Sequence, residues 1–236
     1  KKALKGKKAV FCGDIGCYTL GNAQPLDMVD TCLDMGAGIT ITQGIHRAQP
    51  DTINFAFIGD STFFHSGITG VINAVYNQTD IVVVVLDNST TAMTGQQPHP
   101  GTGLTMMGKK SPPISIEKIL LAAGVSHVET VDPMDLDASK EAVLRAIEAG
   151  GVSSIIFKSP CIQIIKPAQA YAIDKETCTN CNICIKELGC PSIYKDGGQV
   201  TIDESTCYGC SICAQLCPFG AIKLKTELEA GGGHES

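Results

Sequence analysis

The stretch Ile53 to Thr90, INFAFIGDSTFFHSGITGVINAVYNQTDIVVVVLDNST, decides how the rest of the chain is read. It holds an apolar run closing on Gly59-Asp60, a small-residue turn, a segment with helical spacing, and a second apolar run closing on Asp87-Asn88. Strand, helix and strand in that order predict a βαβ unit, whose two strands lie parallel with their carboxyl ends on one side. Ligands of such sheets collect outside those ends, where the following helices also point their N-termini. Asp60 and Asn88 therefore converge as two oxygen donors. That pair suits Mg²⁺, which takes one or two side-chain oxygens and fills its octahedron with substrate phosphates and water.

On the N-terminal side, the run KKAVFCGDIGCYTLG from Lys7 reads as a strand breaking into a loop with Gly13, Gly16 and Gly21. Glycines there let backbone amides approach a ligand, and a plain tight turn fits the same residues equally well. Helical spacing continues over Asp27 to Met35. Gly36 to Gly38 then leads into a second polar loop, Thr40 to His46, where His46 and Arg47 could meet a phosphate or a carboxylate, although a structural role is the commoner fate of such a pair. On the C-terminal side, Thr90 to Pro113 is a long loop rich in Gly, Pro and Thr that starts at the proposed metal ligands, a placement that favours function. Ile116 to Ala123 reads as a helix, His127 to Val131 as a strand, Pro133 to Ala149 as a helix and Ser153 to Lys158 as a strand. Such alternation predicts a doubly wound parallel α/β sheet, with Pro160 and Pro167 marking an exit near Lys166.

The chain has 236 residues, with 44% hydrophobic residues and no Trp, and its formal charge of −6 argues against a nucleic-acid partner. Five lysines among the first eight residues read as a solvated helix end. The longest aliphatic run, Ile81 to Leu86, is far too short to span a bilayer. No signal peptide is visible, so a cytoplasmic location is expected. A start at Lys1 without Met reads as a fragment.

Twelve cysteines are the outlier, and eight of them lie between Cys178 and Cys217. Tight clustering of that kind indicates metal ligation in a reducing compartment, not a disulfide framework. Cys178-x-x-Cys181-x-x-Cys184 followed by Cys190-Pro191 recurs 29 residues later as Cys207-x-x-Cys210-x-x-Cys213 followed by Cys217-Pro218. Doubled runs of this form hold two [4Fe–4S] clusters, the fourth cysteine of each run ligating the other cluster. By that rule Cys178, Cys181, Cys184 and Cys217 serve one cluster, and Cys207, Cys210, Cys213 and Cys190 the second. Two Cys₄ zinc sites are the alternative, which the Cys-Pro closures disfavour.

Gly59-Asp60 followed by Asp87-Asn88 resembles the thiamine-diphosphate motif. Together with CGDIGCYTLG, VDTCLDMGAGI, IGDSTFFHSGITGVINAVYN, LDNSTTAMTGQQPHPGTG and the cysteine runs, it makes nearly the whole chain similar to thiamine-diphosphate-dependent 2-oxoacid:ferredoxin oxidoreductases. The resemblance implies a diphosphate-binding α/β domain at 1–166, N-terminally truncated, an α+β two-cluster ferredoxin-like domain at 171–226, and a tail at 227–236. It further implies that Mg²⁺ is held by Asp60, Asn88 and the Thr90 carbonyl, with Gly13, Asp14, Gly16, Cys17, Gly59, Ser61, Thr62, Thr94 and Gly95 around the cofactor. The implied reaction turns an aryl 2-oxo acid, coenzyme A and oxidised ferredoxin into an aryl-acetyl-CoA, CO₂ and reduced ferredoxin, with pyruvate or 2-oxoglutarate as alternative substrates. The activating glutamate would come from a pyrimidine-binding domain in the remainder of the large subunit, outside this chain, and a small subunit would complete a hetero-oligomer. His46 lies where the resemblance is weakest. A reading of another class, an electron-transfer module on a non-catalytic α/β scaffold, leaves Asp60 and Asn88 without a purpose.

Overall fold

The structure is a computed structural model that describes residues 2–231. It divides into two compact units, residues 1–22 with 28–161 and residues 23–27 with 162–236. Of the expected tail at 227–236, residues 232–236 lie outside the described residues, as does Lys1.

The first unit is a six-stranded sheet in the order β2-β1-β3-β4-β6-β5, built from β1 (Ala9–Gly13), β2 (Thr31–Cys32), β3 (Ile53–Gly59), β4 (Ile81–Asp87), β5 (His127–Val131) and β6 (Val152–Lys158). Every neighbouring pair is parallel. Because successive side chains of a strand point to opposite faces, the valine run of β4 feeds two cores. Ile81, Val83 and Val85 join Ala56, Ile58 and Ile156 under Ile39 of α1 (Ala37–Ala48), Val71 and Ala74 of α3 (Ile68–Tyr76), and Ile116 and Leu120 of α4 (Ile116–Ala122). Val82 and Val84 join Phe55 and Ile155 under Leu4 and the Ala142 and Ala146 face of α5 (Leu136–Ala149). Each fully buried aliphatic or Phe side chain contributes about 1.5–3 kcal/mol. Burial on both faces is what makes these strands continuous apolar runs rather than alternating ones.

Two expectations are corrected. Asp27 to Met35 is not a helix. Asp30 instead pairs with the edge of β1, its N–H donating to the Phe11 carbonyl at 2.8 Å and its Oδ2 accepting from the Phe11 N–H at 2.7 Å, and the chain continues as the edge strand β2. Thr40 to His46 is not a loop but the body of α1. Gly38 lets α1 seat against β1, since a Cβ there would stand 3.1 Å from the Gly13 carbonyl oxygen. After β3 the chain runs through a short α turn, α2 (Asp60–Thr62), and a π turn, Phe63–Gly67, into α3.

Among the described residues the second unit has two antiparallel ladders, β7 (Tyr171–Ile173) with β10 (Ile222–Leu224) and β8 (Ile193–Asp196) with β9 (Gln199–Ile202), and three helices, α6 (Ile183–Leu188), α7 (Ile212–Leu216) and α8 (Lys225–Gly231). The sequence duplication is written into its backbone. Asn180 and Asn182 have φ of 53° and 63°, and Gly209 and Ser211, at the matching places of the second copy, have 72° and 66°. The two extra residues of the first run are taken up by a longer helix, α6, ending on Gly189 at φ 61°.

Candidate functional site

In the first unit the chain passes from β1 outward to β2 on one side and to β3 on the other. The carboxyl ends of β1 and β3 thus flank a topological switch point, where sheets of this class bind ligands. Asp60, the first residue past β3, is 3% exposed and well supplied with donors. Its Oδ1 accepts from the Ser61 N–H at 2.8 Å, and its Oδ2 accepts from the Ser89 N–H at 2.8 Å and lies 3.1 Å from His99 Nε2. A carboxylate has about four lone-pair directions, two per oxygen. Three are filled, so the direction left open is on Oδ1.

Asn88 and Thr90 stand opposite, at the end of β4. Ser89 between them adopts φ 61°, which turns its N–H toward Asp60. Among the described residues the Asn88 Oδ1 accepts only the Thr90 N–H, at 3.2 Å, and keeps a lone pair, while its backbone carbonyl accepts from the Cys161 N–H at 2.9 Å. Asp87, one residue earlier, is engaged elsewhere, paired with Lys158 at 2.9 Å and accepting from Ser89. Spare oxygen lone pairs on a buried carboxylate and a neighbouring carboxamide fit a hard divalent cation. Ser61 accepts from Thr91 Oγ1 at 2.8 Å, which ties the turn after β3 to the long loop, and Thr62 and Thr90 are buried alongside. Thr94 is turned to Gln97, and Gly95 has φ 113° in the tight turn that pairs Thr91 with Gln97.

At the end of β1, Asp14 is fully buried. Its Oδ2 accepts from the Gly36 N–H at 2.7 Å, and its Oδ1 accepts from the Tyr18 hydroxyl, which in turn accepts from the Gly59 N–H at 3.0 Å. Burial pushes the Asp14 carboxyl up to about 6; the Gly36 hydrogen bond opposes this and the nearby Asp34 adds to it. Asp14 and Tyr18 thus strap the β1 turn to the β3 turn, and Asp14 faces inward, whereas Cys17 is exposed. Gly13 and Gly16 sit on either side of Asp14 in that same turn.

His46 and Arg47 are placed elsewhere. Both lie in the last turn of α1, the end from which the chain enters β3 at its amino end, and Arg47 donates to the Asn77 carbonyl at 2.7 Å. A 12-residue helix is about 18 Å long, and it separates His46 from the strand ends, which sets aside its candidate role as a ligand there and leaves the commoner, structural reading of the pair. His99, a buried histidine in the long loop that no spacing rule links to Asp60, and Tyr18 are site residues that the sequence patterns do not mark.

In the second unit Cys178, Cys181, Cys184 and Cys217 line one cavity with Ile173, Val200 and Ile222. Burial pushes the Cys184 thiol up, with the nearby Cys181 and Cys217 adding to the shift. Burial also pushes the Cys213 thiol up to about 12, reinforced by Cys210, Cys190 and Cys207. The two sets therefore gather across the two runs, each taking its fourth sulfur from the other. Four crowded thiols of this kind ionise together only when a metal group supplies compensating charge. Among the described residues no three His, Cys, Asp or Glu side chains close on a single ion, and an iron–sulfur cube instead spreads its four thiolates over its corners.

Residues 14–157 match the family described as thiamine pyrophosphate enzyme, C-terminal TPP binding domain, and residues 200–223 match the 4Fe-4S binding domain. The chain is 48% identical over 222 residues to the indolepyruvate oxidoreductase subunit IorA of Methanothermobacter thermautotrophicus, covering 93% of this chain and 36% of that protein. To the protein of the same name from Pyrococcus horikoshii it is 40% identical over 245 residues, covering 94% and 38%. A 2-oxoglutarate synthase subunit KorB from Archaeoglobus fulgidus is 30% identical over 185 residues, covering 75% and 68%. The chain thus spans little more than a third of the length of the IorA relatives. Among solved structures, the 2-oxoglutarate:ferredoxin oxidoreductase from Magnetococcus marinus superposes with a TM-score of 0.57 at 20% identity, over 68% of this chain and 56% of that one, and shares the fold.

Proposed function

We propose, since the chain belongs to the thiamine-diphosphate-dependent 2-oxoacid:ferredoxin oxidoreductase family, that it forms the diphosphate-binding and electron-exporting part of an indolepyruvate oxidoreductase. The observation that supports this reading is the Asp60 to Ser89 hydrogen bond, which ties the end of β3, carrying Asp60, to the end of β4, next to Asn88 and Thr90. Asp60 Oδ1, Asn88 Oδ1 and the Thr90 carbonyl would hold Mg²⁺ on the cofactor's diphosphate, with the positive end of the helical run that starts at Asp60 offsetting its charge. Bound thiamine diphosphate supplies the carbanion chemistry that releases CO₂ from a 2-oxo acid. Asp14 and Tyr18 keep the β1 turn, with Gly13, Gly16 and Cys17, close to the β3 turn. Thr94 and Gly95 shape the loop on the other side.

Oxidising a decarboxylated 2-oxo acid to a thioester of coenzyme A yields two electrons. Two clusters, one on Cys178, Cys181, Cys184 and Cys217 and one on Cys207, Cys210, Cys213 and Cys190, would carry them singly to ferredoxin. The substrate favoured by the relatives' names is an aryl 2-oxo acid such as indolepyruvate; the KorB relationship supports 2-oxoglutarate as the second reading. The rest of a longer subunit and a small partner subunit would supply the pyrimidine-binding domain and its glutamate.

The test is Asp60→Ala in the complete assembly. Turnover of indolepyruvate should fall to background while the iron–sulfur absorption stays as in the wild type. Retained turnover would remove the cofactor assignment, and comparing indolepyruvate, phenylpyruvate and 2-oxoglutarate side by side decides the substrate.

A further inference from the structure

His99 is buried in the loop after β4 and touches the centre of the proposed metal site without being one of its ligands. Its ring is stacked on Phe64, with centroids 5.6 Å apart and planes at 30°. Gly101 closes over it, and a Cβ at Gly101 would stand 2.9 Å from Phe64 and 3.1 Å from the imidazole. The ring is therefore clamped, and its two nitrogens have fixed and different partners.

Nδ1 accepts the Gly101 N–H at 3.2 Å. A backbone N–H can only donate, so Nδ1 carries no proton and the single proton of the neutral imidazole is on Nε2. Nε2 lies 3.1 Å from Asp60 Oδ2, so it donates there. With the Ser89 N–H on the same oxygen, Oδ2 is filled and the carboxylate has one open direction, on Oδ1.

We infer that His99 is a positioning residue for the metal, a fixed donor that closes Asp60 Oδ2 and so presents the carboxylate to a divalent cation through Oδ1 alone. This rests on the reading of Asp60 as a metal ligand. Outer-shell donors of this kind typically change metal affinity or activity by about 10–100-fold when removed.

Two substitutions separate the two nitrogens. A glutamine amide reaches the place of Nε2 and loses the Gly101 contact, whereas an asparagine amide reaches the place of Nδ1 and loses the Asp60 contact. The measurement is Mn²⁺ binding to the metal-stripped complete assembly with thiamine diphosphate present, read from the loss of the free-ion paramagnetic resonance signal, with iron content as a control. His99→Asn should weaken Mn²⁺ by about 10–100-fold, and His99→Gln should stay within a few-fold of wild type. If His99→Asn does not assemble, His99→Leu takes its place with the same expected loss. Affinity equal to wild type in His99→Asn, or an equal loss in His99→Gln and His99→Asn, overturns the inference, because His99 would then do no more than shape the loop. A wild-type assembly that takes up no Mn²⁺ overturns the reading of Asp60 instead, and the inference falls with it.

Discussion

In the α/β unit the groups of the site have protein partners already. Asp60 holds three donors, Asp14 is strapped between Tyr18 and Gly36, and thick cores lie on both sheet faces beneath them. In the cysteine-rich unit the corresponding groups have one another. Its core consists of Ile193, Val200, Ile202, Ile222 and Cys213, with Cys184, Cys190, Cys207 and Cys217 packed against them. A core of that size supplies only about 3–5 kcal/mol, and part of it is the side chains of cysteines. One candidate site rests on a large sheet core; under the proposed reading the other would itself add to the stability of its unit.

The sharpest way to break this contrast is to replace Cys184 and Cys213 together by alanine. Hydrogen exchange across residues 171–224 should accelerate by about 100-fold or more, as expected when a small unit loses its staples, while the amides of β3, β4 and β6 keep their protection. Protection surviving in the cysteine-rich unit would show that its apolar core suffices. The reverse experiment is Phe63→Ala. Phe63 is fully buried against Ile58 and Val71 in the core on the α3 side, and its truncation should cost about 3–5 kcal/mol, seen as a lower unfolding midpoint of the α/β unit with iron content unchanged. Loss of iron in that variant would mean that the two units do not stand separately.

The smallest effect sharpens the α/β side of the comparison. Asp14 has its carboxyl raised from 3.8 to about 6 by burial. Between those values the folded chain keeps a proton that the unfolded chain has released, so stability falls as pH rises through this window and the cost is constant above it. Asp14→Asn cannot ionise. The thermal midpoint of wild type relative to Asp14→Asn should therefore decline between about pH 4 and about pH 6 and level off beyond. A difference independent of pH would mean that Asp14 is ionised throughout.

Much of this was legible in the residues themselves. Apolar runs stop abruptly at Asp60 and Asn88, and the structure ends β3 and β4 just before them; the cysteine spacing likewise foretold that Cys217 would lie beside Cys178, Cys181 and Cys184. What misled was local. Asp27 to Met35 has a helical period, yet Asp30 satisfies the edge of β1 with both its backbone and its side chain, a tertiary contact that periodicity does not see. Ala37–Ala48 has two glycines and two β-branched threonines that argue against a helix. It forms nonetheless because Gly38 fits against Gly13 and Ile39 fills the core. His99 left no trace in any spacing, because a donor in a loop is placed by the turn that carries it.

The partners of Asp60 also set an order of events in the making of the chain. Its hydrogen bonds close to Ser89 across 29 residues and to His99 across 39. A nascent chain released only as far as α3 has the carboxylate with the Ser61 N–H alone, and one released to Ser89 still lacks the imidazole. Non-local closures of this kind come late and slow the search for the native state. The donor set around Asp60 is thus complete only when the loop that follows β4 has folded back onto it.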